Sequence, residues 1–142
     1  LRYFSCLRKL ILIIGCCKNS FYNSIKVTLI KFLVFSLVDE NGDAVGAGVL
    51  GLLLSNGGTV CDDSFSDNSA DAICKELGYF NKMSWTYGSK WAIQAGLEIT
   101  LDNVACSSGE WSSCSFALID DCSHGEDVFL QCEGVGESIL VS

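Results

Sequence analysis

Six cysteines after residue 60 are the residues with the clearest capacity for chemistry. They are Cys61, Cys74, Cys106, Cys114, Cys122 and Cys132. None of them forms the CxxC pair of a zinc knuckle, so their spacing argues against a structural zinc site. An even number of cysteines in a small domain instead favours three disulfides in an oxidising compartment, and spacing alone allows fifteen pairings. Reduced, buried cysteines of a cytosolic protein are the alternative.

Groups that could perform catalysis are scarce. The chain has a single histidine, His124, and the cysteine nearest to it in sequence, Cys122, is expected in a disulfide. A Cys–His pair would need a free thiol of low pKa. No glycine-rich loop of the phosphate-binding type precedes a helix. We therefore predict that the chain is not an enzyme and has no catalytic residues.

The charge of the chain is negative and unevenly distributed. The formal net charge is −8, yet residues 1–36 contain six basic residues and no acidic one. From residue 37 onward, three lysines stand against seventeen acids, which leaves that part at −14. Nucleic-acid binding needs a basic surface. We therefore expect no nucleic-acid specificity.

Residues 1–36 are a basic and apolar segment that we leave unassigned. Its apolar runs, residues 10–17 and 27–38, are shorter than the roughly 20 residues of a membrane-spanning helix. The segment fits a signal or anchor remnant, or a non-coding read-through, because residues 32–36 are what a pyrimidine-rich splice acceptor would encode. A structured part of the domain is a third interpretation. We expect Cys6, Cys16 and Cys17 to take no part in the domain.

Local patterns after residue 37 predict mostly strands and one helix. Residues 49–55 and 59–61 read as two strands joined by a turn at residues 56–58 that needs positive φ. Strands are also expected around residues 99–104 and over residues 129–132. Asn68 is predicted to cap a helix that ends at Gly78. Its buried face would consist of Ala70, Ile73, Cys74 and Leu77.

Four motifs around the cysteines occur in a fixed order. They are GTVCDDSF at residues 58–65, AICKELGY at 72–79, LDNVAC at 101–106 and CSHGED at 122–127. In sequence and spacing they resemble the scavenger receptor cysteine-rich (SRCR) domain in its six-cysteine form, over residues 37–133. The chain departs from the family at residues 49–54, where an apolar run replaces an alternating strand, and at residues 117–120, which replace a Trp-Gly-x-His motif in a shortened loop.

The resemblance implies an α+β fold, a small disulfide-stabilised domain in which a curved antiparallel sheet cradles one main helix. It implies three domain segments: residues 1–36 unassigned, residues 37–134 the SRCR domain, and residues 135–142 a tail. It also implies the disulfides Cys61–Cys122, Cys74–Cys132 and Cys106–Cys114.

A metal site is the sharpest functional prediction. If Cys61 and Cys122 are bridged, Asp62 and Asp63 follow one end of the bridge and Glu126 lies near the other. Neighbouring residues on a strand face opposite ways, so Asp62 and Asp63 converge only if the strand ends at Cys61. Three carboxylates suit Ca²⁺, and the resemblance implies a cation site at these positions. Asp102 with Asn103 resembles a second, weaker site. The alternative is that all these groups are exposed or bind turn amides.

The resemblance implies an extracellular ligand-binding module of a scavenger-receptor-like protein, either secreted or part of a membrane protein's ectodomain. Expected partners are polyanionic or microbial surface ligands, as in innate immunity, or extracellular proteins. Attachment to a membrane would go through other parts of the parent protein. The alternatives are an accessory domain of an extracellular enzyme, such as a protease, and a structural adhesion repeat.

Overall fold

A computed structural model describes residues 33–118 and 121–134. Predictions for residues 1–32, including Cys6, Cys16 and Cys17, and for residues 135–142 lie outside this part. The described residues form seven strands and one α-helix: β1 (Phe35–Val38), β2 (Gly51–Ser55), β3 (Gly58–Val60), α1 (Asp67–Glu76), β4 (Lys82–Tyr87), β5 (Ile99–Cys106), β6 (Cys114–Ala117) and β7 (Val128–Cys132). Short 3₁₀ turns cover Ala92–Gly96, Trp111–Ser113 and His124–Glu126. None of the described helices is long and apolar enough to cross a membrane.

The strands form one sheet in the order β4-β7-β2-β3-β5-β6, and β1 pairs with β2 outside that path. Strand β2 is central because it pairs with three other strands. Along one edge it pairs with β1 in antiparallel register, from Phe35↔Ser55 to Val38↔Leu52. Its other edge is shared between β7, which pairs at Gly51 and Leu52, and β3, which pairs at Leu54 and Ser55. The predicted α+β fold with a curved sheet and one main helix is confirmed. One pair, β3 with β5, is parallel.

Strand β2 is buried on both faces, which explains its unbroken apolar sequence. Leu52 and Leu53 are both fully buried, although neighbouring strand residues point to opposite sides of the sheet. Leu52 lies in a cluster with Val38, Leu54 and Phe129. Trp91 covers that cluster with its ring centroid 4.9 Å from that of Phe129. The part of the run that lies in β2, residues 51–54, is therefore the middle of the core.

The N-cap of helix α1 lies two residues before the predicted one. Ser66, not Asn68, is the N-cap: its hydroxyl accepts a hydrogen bond from the Ser69 amide, and the Ser69 hydroxyl accepts one from the Ser66 amide. This reciprocal pair satisfies two amides that the helix leaves unpaired, so it outcompetes the cap at Asn68. Asn68 lies in the first turn and donates to the Cys106 carbonyl instead. The helix ends as predicted, with Gly78 at φ +92°.

The buried face of α1 contains Ala70, Ile73 and Cys74, as predicted, while Leu77 is half-buried at the C-cap. The turn predicted at residues 56–58 is present, since Asn56 and Gly57 have φ values of 51° and 87°. The predicted domain boundary between residues 36 and 37 falls inside β1.

Candidate metal centre

Three disulfides hold the described part of the chain together. They join Cys61 to Cys122, Cys74 to Cys132, and Cys106 to Cys114, which are the pairs that the family resemblance implies. The Cys61–Cys122 bond brings together two segments that lie 61 residues apart in sequence, with their Cα atoms 6.3 Å apart. It therefore connects the end of β3 to the loop that precedes β7.

The chain leaves its strand geometry at Cys61, and this allows the next two carboxylates to converge. Strand β3 ends at Val60, and Cys61 forms only an isolated bridge with Asp127. The following turn is closed by a hydrogen bond from the Phe65 amide to the Asp62 carbonyl and includes Ser64 at φ +62°. Adjacent residues in a turn need not face opposite ways, unlike those in a strand.

Glu126 reaches the same place from the other end of the disulfide. It is the last residue of the 3₁₀ turn, and its backbone carbonyl accepts a hydrogen bond of 2.8 Å from the Asp62 amide. Its own carboxylate accepts from the Ser123 amide at 2.8 Å. Carboxylate oxygens of Asp62, Asp63 and Glu126 all lie within 4.8 Å of one another. The structure thus brings the three predicted ligands of the first site together.

The second predicted site is not separate from the first. Asp102 is buried on β5, and one of its oxygens lies within 4.8 Å of a carboxylate oxygen of Asp63. Its Oδ1 also accepts from the Asn103 amide at 2.6 Å. Asn103 has φ +53°, is exposed, and accepts a 3.4 Å hydrogen bond from the Ser64 hydroxyl through Oδ1. We call the group formed by Asp62, Asp63, Asp102, Asp121 and Glu126 the acidic cluster.

The members of the acidic cluster repel one another. Partial burial, and then the charges of Asp63 and Glu126, raise the pKa of Asp62 above its usual value. Loss of solvent, and then the charges of Asp102, Glu126 and Asp121, raise the pKa of Asp63. Every charged neighbour that shifts these two pKa values is a carboxylate. A divalent cation would offset this repulsion, and carboxylate oxygens are the ligands that Ca²⁺ takes.

Two features of the site carry no clear sequence signal. Asp121 joins the cluster beside Cys122, with its Oδ1 3.9 Å from the Cys122 Sγ atom. Beneath Glu126, the fully buried Asp127 accepts a 2.7 Å hydrogen bond from Gln94 Nε2 and lies 2.8 Å from His124 Nδ1. Gln94 comes from a distant 3₁₀ turn, so only the fold shows that this contact anchors the Glu126 turn.

Neutralising one carboxylate should stabilise the metal-free protein at neutral pH. A carboxyl whose pKa is raised by folding contributes stability below its unfolded value, near 3.8, and this contribution is lost as pH rises through the folded value. In Ca²⁺-free buffer we therefore expect the melting temperature of Asp63→Asn to be higher than that of the wild type at pH 7. At pH 3 we expect the two melting temperatures to be the same. Glu98→Gln, outside the cluster, is the matched control. A lower melting temperature of Asp63→Asn at pH 7 would show that the carboxylate stabilises the metal-free fold.

Comparison with known proteins identifies one family and, among the similar proteins, several lysyl oxidase homologs. The family model "Scavenger receptor cysteine-rich domain" matches residues 40–133. Lysyl oxidase homolog 2 of Xenopus laevis is 46% identical over 79 residues, and the human protein of that name is 40% identical over 79 residues. Each match covers 53% of this chain and 10% of the relative, so the chain spans about a tenth of the length of these proteins.

Solved structures that are similar to this chain include two SRCR domains. The SRCR domain of mouse MARCO, in its dimeric form, shares 26% identity with a TM-score of 0.45, covering 66% of this chain and 96% of that one. The third SRCR domain of murine neurotrypsin shares 25% identity with a TM-score of 0.46, covering 72% of this chain and 98% of that one.

Proposed function

This chain belongs to the scavenger receptor cysteine-rich family, and we propose that it is an extracellular, non-catalytic ligand-binding module whose acidic cluster binds Ca²⁺. The observation that carries the proposal is the convergence of Asp62, Asp63 and Glu126 within 4.8 Å. These residues come from two distant segments and meet beside the disulfide that joins them. Backbone carbonyls and water would complete the six to eight ligands that Ca²⁺ usually takes.

Binding of Ca²⁺ should raise the stability of the chain. An ion that binds only the native state adds about 2.7 kcal/mol at a hundredfold excess over Kd, which raises the melting temperature of a small domain by roughly 10 °C. Glu126→Gln should abolish most of this shift, because it removes one of the negative charges that bind Ca²⁺. The glutamine keeps a side-chain oxygen that can accept the hydrogen bond from the Ser123 amide, so the turn is preserved. Glu98→Gln should retain the shift. Equal melting temperatures in excess Ca²⁺ and in chelator would contradict the proposal.

The surface charge limits how a polyanionic or microbial ligand binds. Lys75 pairs with Glu110 at 2.9 Å, and Lys82 lies 4.0 Å from Asp67. Lys90 lies over the ring of Phe129. These three lysines form no basic patch that could outweigh the acids of the described residues. At the described residues, an anionic group would therefore bind through an open position on the bound Ca²⁺ rather than through basic side chains.

Immobilised dextran sulfate is a suitable polyanion with which to test this ligand class. We expect it to retain a chain that starts at Leu33, and so lacks the six basic residues of the N-terminal segment, in Ca²⁺ and to release it in chelator. We expect Glu126→Gln in the same chain to be retained poorly in both. Retention that survives chelator would remove the role of Ca²⁺ in recognition.

The absence of catalysis is part of the proposal. His124 Nδ1 lies 2.8 Å from the Asp127 carboxylate, so this nitrogen is directed into the fold. The six cysteines of the described residues are in disulfides and are not available as nucleophiles. These contacts support a structural role for both residue types.

A second candidate places this module beside a catalytic domain in a longer extracellular enzyme. The observation that favours it is the 40–46% identity to lysyl oxidase homologs, of which this chain spans about a tenth. The full-length transcript tests it directly: an adjoining oxidase domain would support the accessory role. An adjoining membrane anchor or further SRCR repeats without a catalytic domain would support a receptor instead.

A further inference from the structure

The Cys61–Cys122 disulfide lies inside the acidic cluster. Carboxylate oxygens of Asp63 and Asp102 lie within 4.8 Å of both sulfur atoms. Carboxylate oxygens of Asp62 and Glu126 lie within 4.8 Å of Cys61 Sγ. Cys122 Sγ lies 3.6 Å from Asp63 Oδ2 and 3.9 Å from Asp121 Oδ1. Five carboxylates therefore surround one S–S bond, although a disulfide sulfur has no hydrogen to donate to them.

We propose that the acidic cluster protects the Cys61–Cys122 bond electrostatically from reduction by anionic thiols. A disulfide is reduced when a thiolate attacks one sulfur in line with the S–S bond. Cys61 is fully buried and Cys122 is only partly buried, so we expect the reductant to attack Cys122 Sγ rather than Cys61 Sγ. The incoming thiolate must then approach through the field of Asp63 and Asp121.

The balance of the reaction shows where the negative charge develops. The reductant sulfur forms a new bond to Cys122 Sγ while the Cys61–Cys122 bond breaks, and the bonding pair leaves on Cys61 Sγ as a thiolate. A second reductant thiolate attacks the reductant sulfur of the mixed disulfide and releases Cys122 as a thiolate. Two reductant thiols become one disulfide, and both cysteines take protons from solvent. Each step has an anionic transition state beside the carboxylates, which raises its energy.

The other two disulfides serve as internal comparisons. Cys74 and Cys132 are both buried, and Cys106–Cys114 lies at the end of the β5–β6 pair. Among residues 33–118 and 121–134, both groups of three or more acidic, cysteine or histidine side chains whose ligand atoms lie within 4.8 Å of one another contain Cys61. Protection by charge should therefore be specific to Cys61–Cys122.

The test measures reduction of each disulfide in the full chain, in chelator and at low salt, by alkylation and peptide mass spectrometry. The reductants are cationic cysteamine and anionic 2-mercaptoethanesulfonate, each normalised to its rate on a neutral disulfide. We expect cysteamine to reduce Cys61–Cys122 about tenfold faster than the anionic thiol, because the carboxylates repel the doubly negative thiolate of 2-mercaptoethanesulfonate more strongly than the net-neutral thiolate of cysteamine. About 1 M salt should remove the difference, since it shortens the screening length to roughly 3 Å.

Variants distinguish the cluster from general surface charge. Asp63→Asn and Asp121→Asn should each lower the rate ratio, and Glu98→Gln should leave it unchanged. Melting in the same buffer establishes that each variant is folded. A ratio near one at Cys61–Cys122, or the same ratio at all three disulfides, would overturn the proposal.

A further experiment repeats the rate measurement in Ca²⁺, and its expected result rests on the proposed function. Bound Ca²⁺ offsets part of the cluster's charge, so the rate ratio should fall when Ca²⁺ replaces chelator. A large ratio in chelator that Ca²⁺ leaves unchanged would support protection by the carboxylates and count against the metal site. A rate ratio near one in chelator would count against protection by the carboxylates, whether or not Ca²⁺ changes that ratio.

Discussion

Replacing Cys74 and Cys132 together by alanine should lower the free energy of unfolding by about 4 kcal/mol, since a disulfide restricts the unfolded chain more as the loop that it closes lengthens. The two cysteines are 58 residues apart, and both are buried between α1 and the end of β7. A loss of this size is comparable with the entire stability of a small domain, roughly 5–15 kcal/mol. Urea unfolding, monitored by tryptophan fluorescence, measures it.

The Cys106–Cys114 bond provides the matched comparison. Its cysteines are only 8 residues apart and already face each other in the β5–β6 pair. The same double replacement there should lower the free energy of unfolding by about 2.5 kcal/mol. If losing Cys106–Cys114 destabilises the chain as much as losing Cys74–Cys132, loop closure does not explain the role of these bonds.

A chain that starts at Leu33 should be more stable than one that starts at Leu37 by about 3 kcal/mol, chiefly through the burial of one phenylalanine. Phe35 is 9% exposed and packs edge-on against Trp111 with ring centroids 5.2 Å apart. The shorter chain also loses half of β1 and the two hydrogen bonds between Val34 and Asn56. Both chains lack residues 1–32, so the difference isolates residues 33–36.

Two substitutions in the longer chain identify the source of that difference. Phe35→Ala should reproduce most of the loss, whereas Val34→Ala should change little because the Val34 side chain is 68% exposed. Equal unfolding free energies for the chains that start at Leu33 and Leu37 would support the predicted boundary between residues 36 and 37.

The sequence predicts the fold well where a local pattern has one physical interpretation. Cysteine motifs in a fixed order indicate the family, and the Asn56-Gly57 turn needs positive φ, which few other residues tolerate. The helix cap was predicted at the wrong residue, Asn68, because Asn and Ser are both residue types that cap helices well. Ser69, three residues after Ser66, favours Ser66 through the reciprocal hydrogen bond.

Other elements depend on contacts that no local pattern shows. Strand β1 lies at the end of an apolar run that has no turn to mark where it begins. Strand β4 has three exposed residues and lies at the edge of the sheet, so it lacks an alternating pattern. The contact of Gln94 with Asp127 joins residues 33 positions apart. The convergence of Asp62 with Glu126 was predictable only through the disulfide pairing that the family resemblance implies.

The most direct test of this account is calorimetric titration of Ca²⁺ into the metal-free chain at pH 7. Extracellular calcium modules bind with Kd values of about 10⁻⁴ to 10⁻³ M. We expect saturable binding in the wild type and in Glu98→Gln, and its loss in Glu126→Gln, because Glu126 completes the set formed with Asp62 and Asp63. Absence of saturable binding in the wild type, or undiminished binding in Glu126→Gln, would contradict the account.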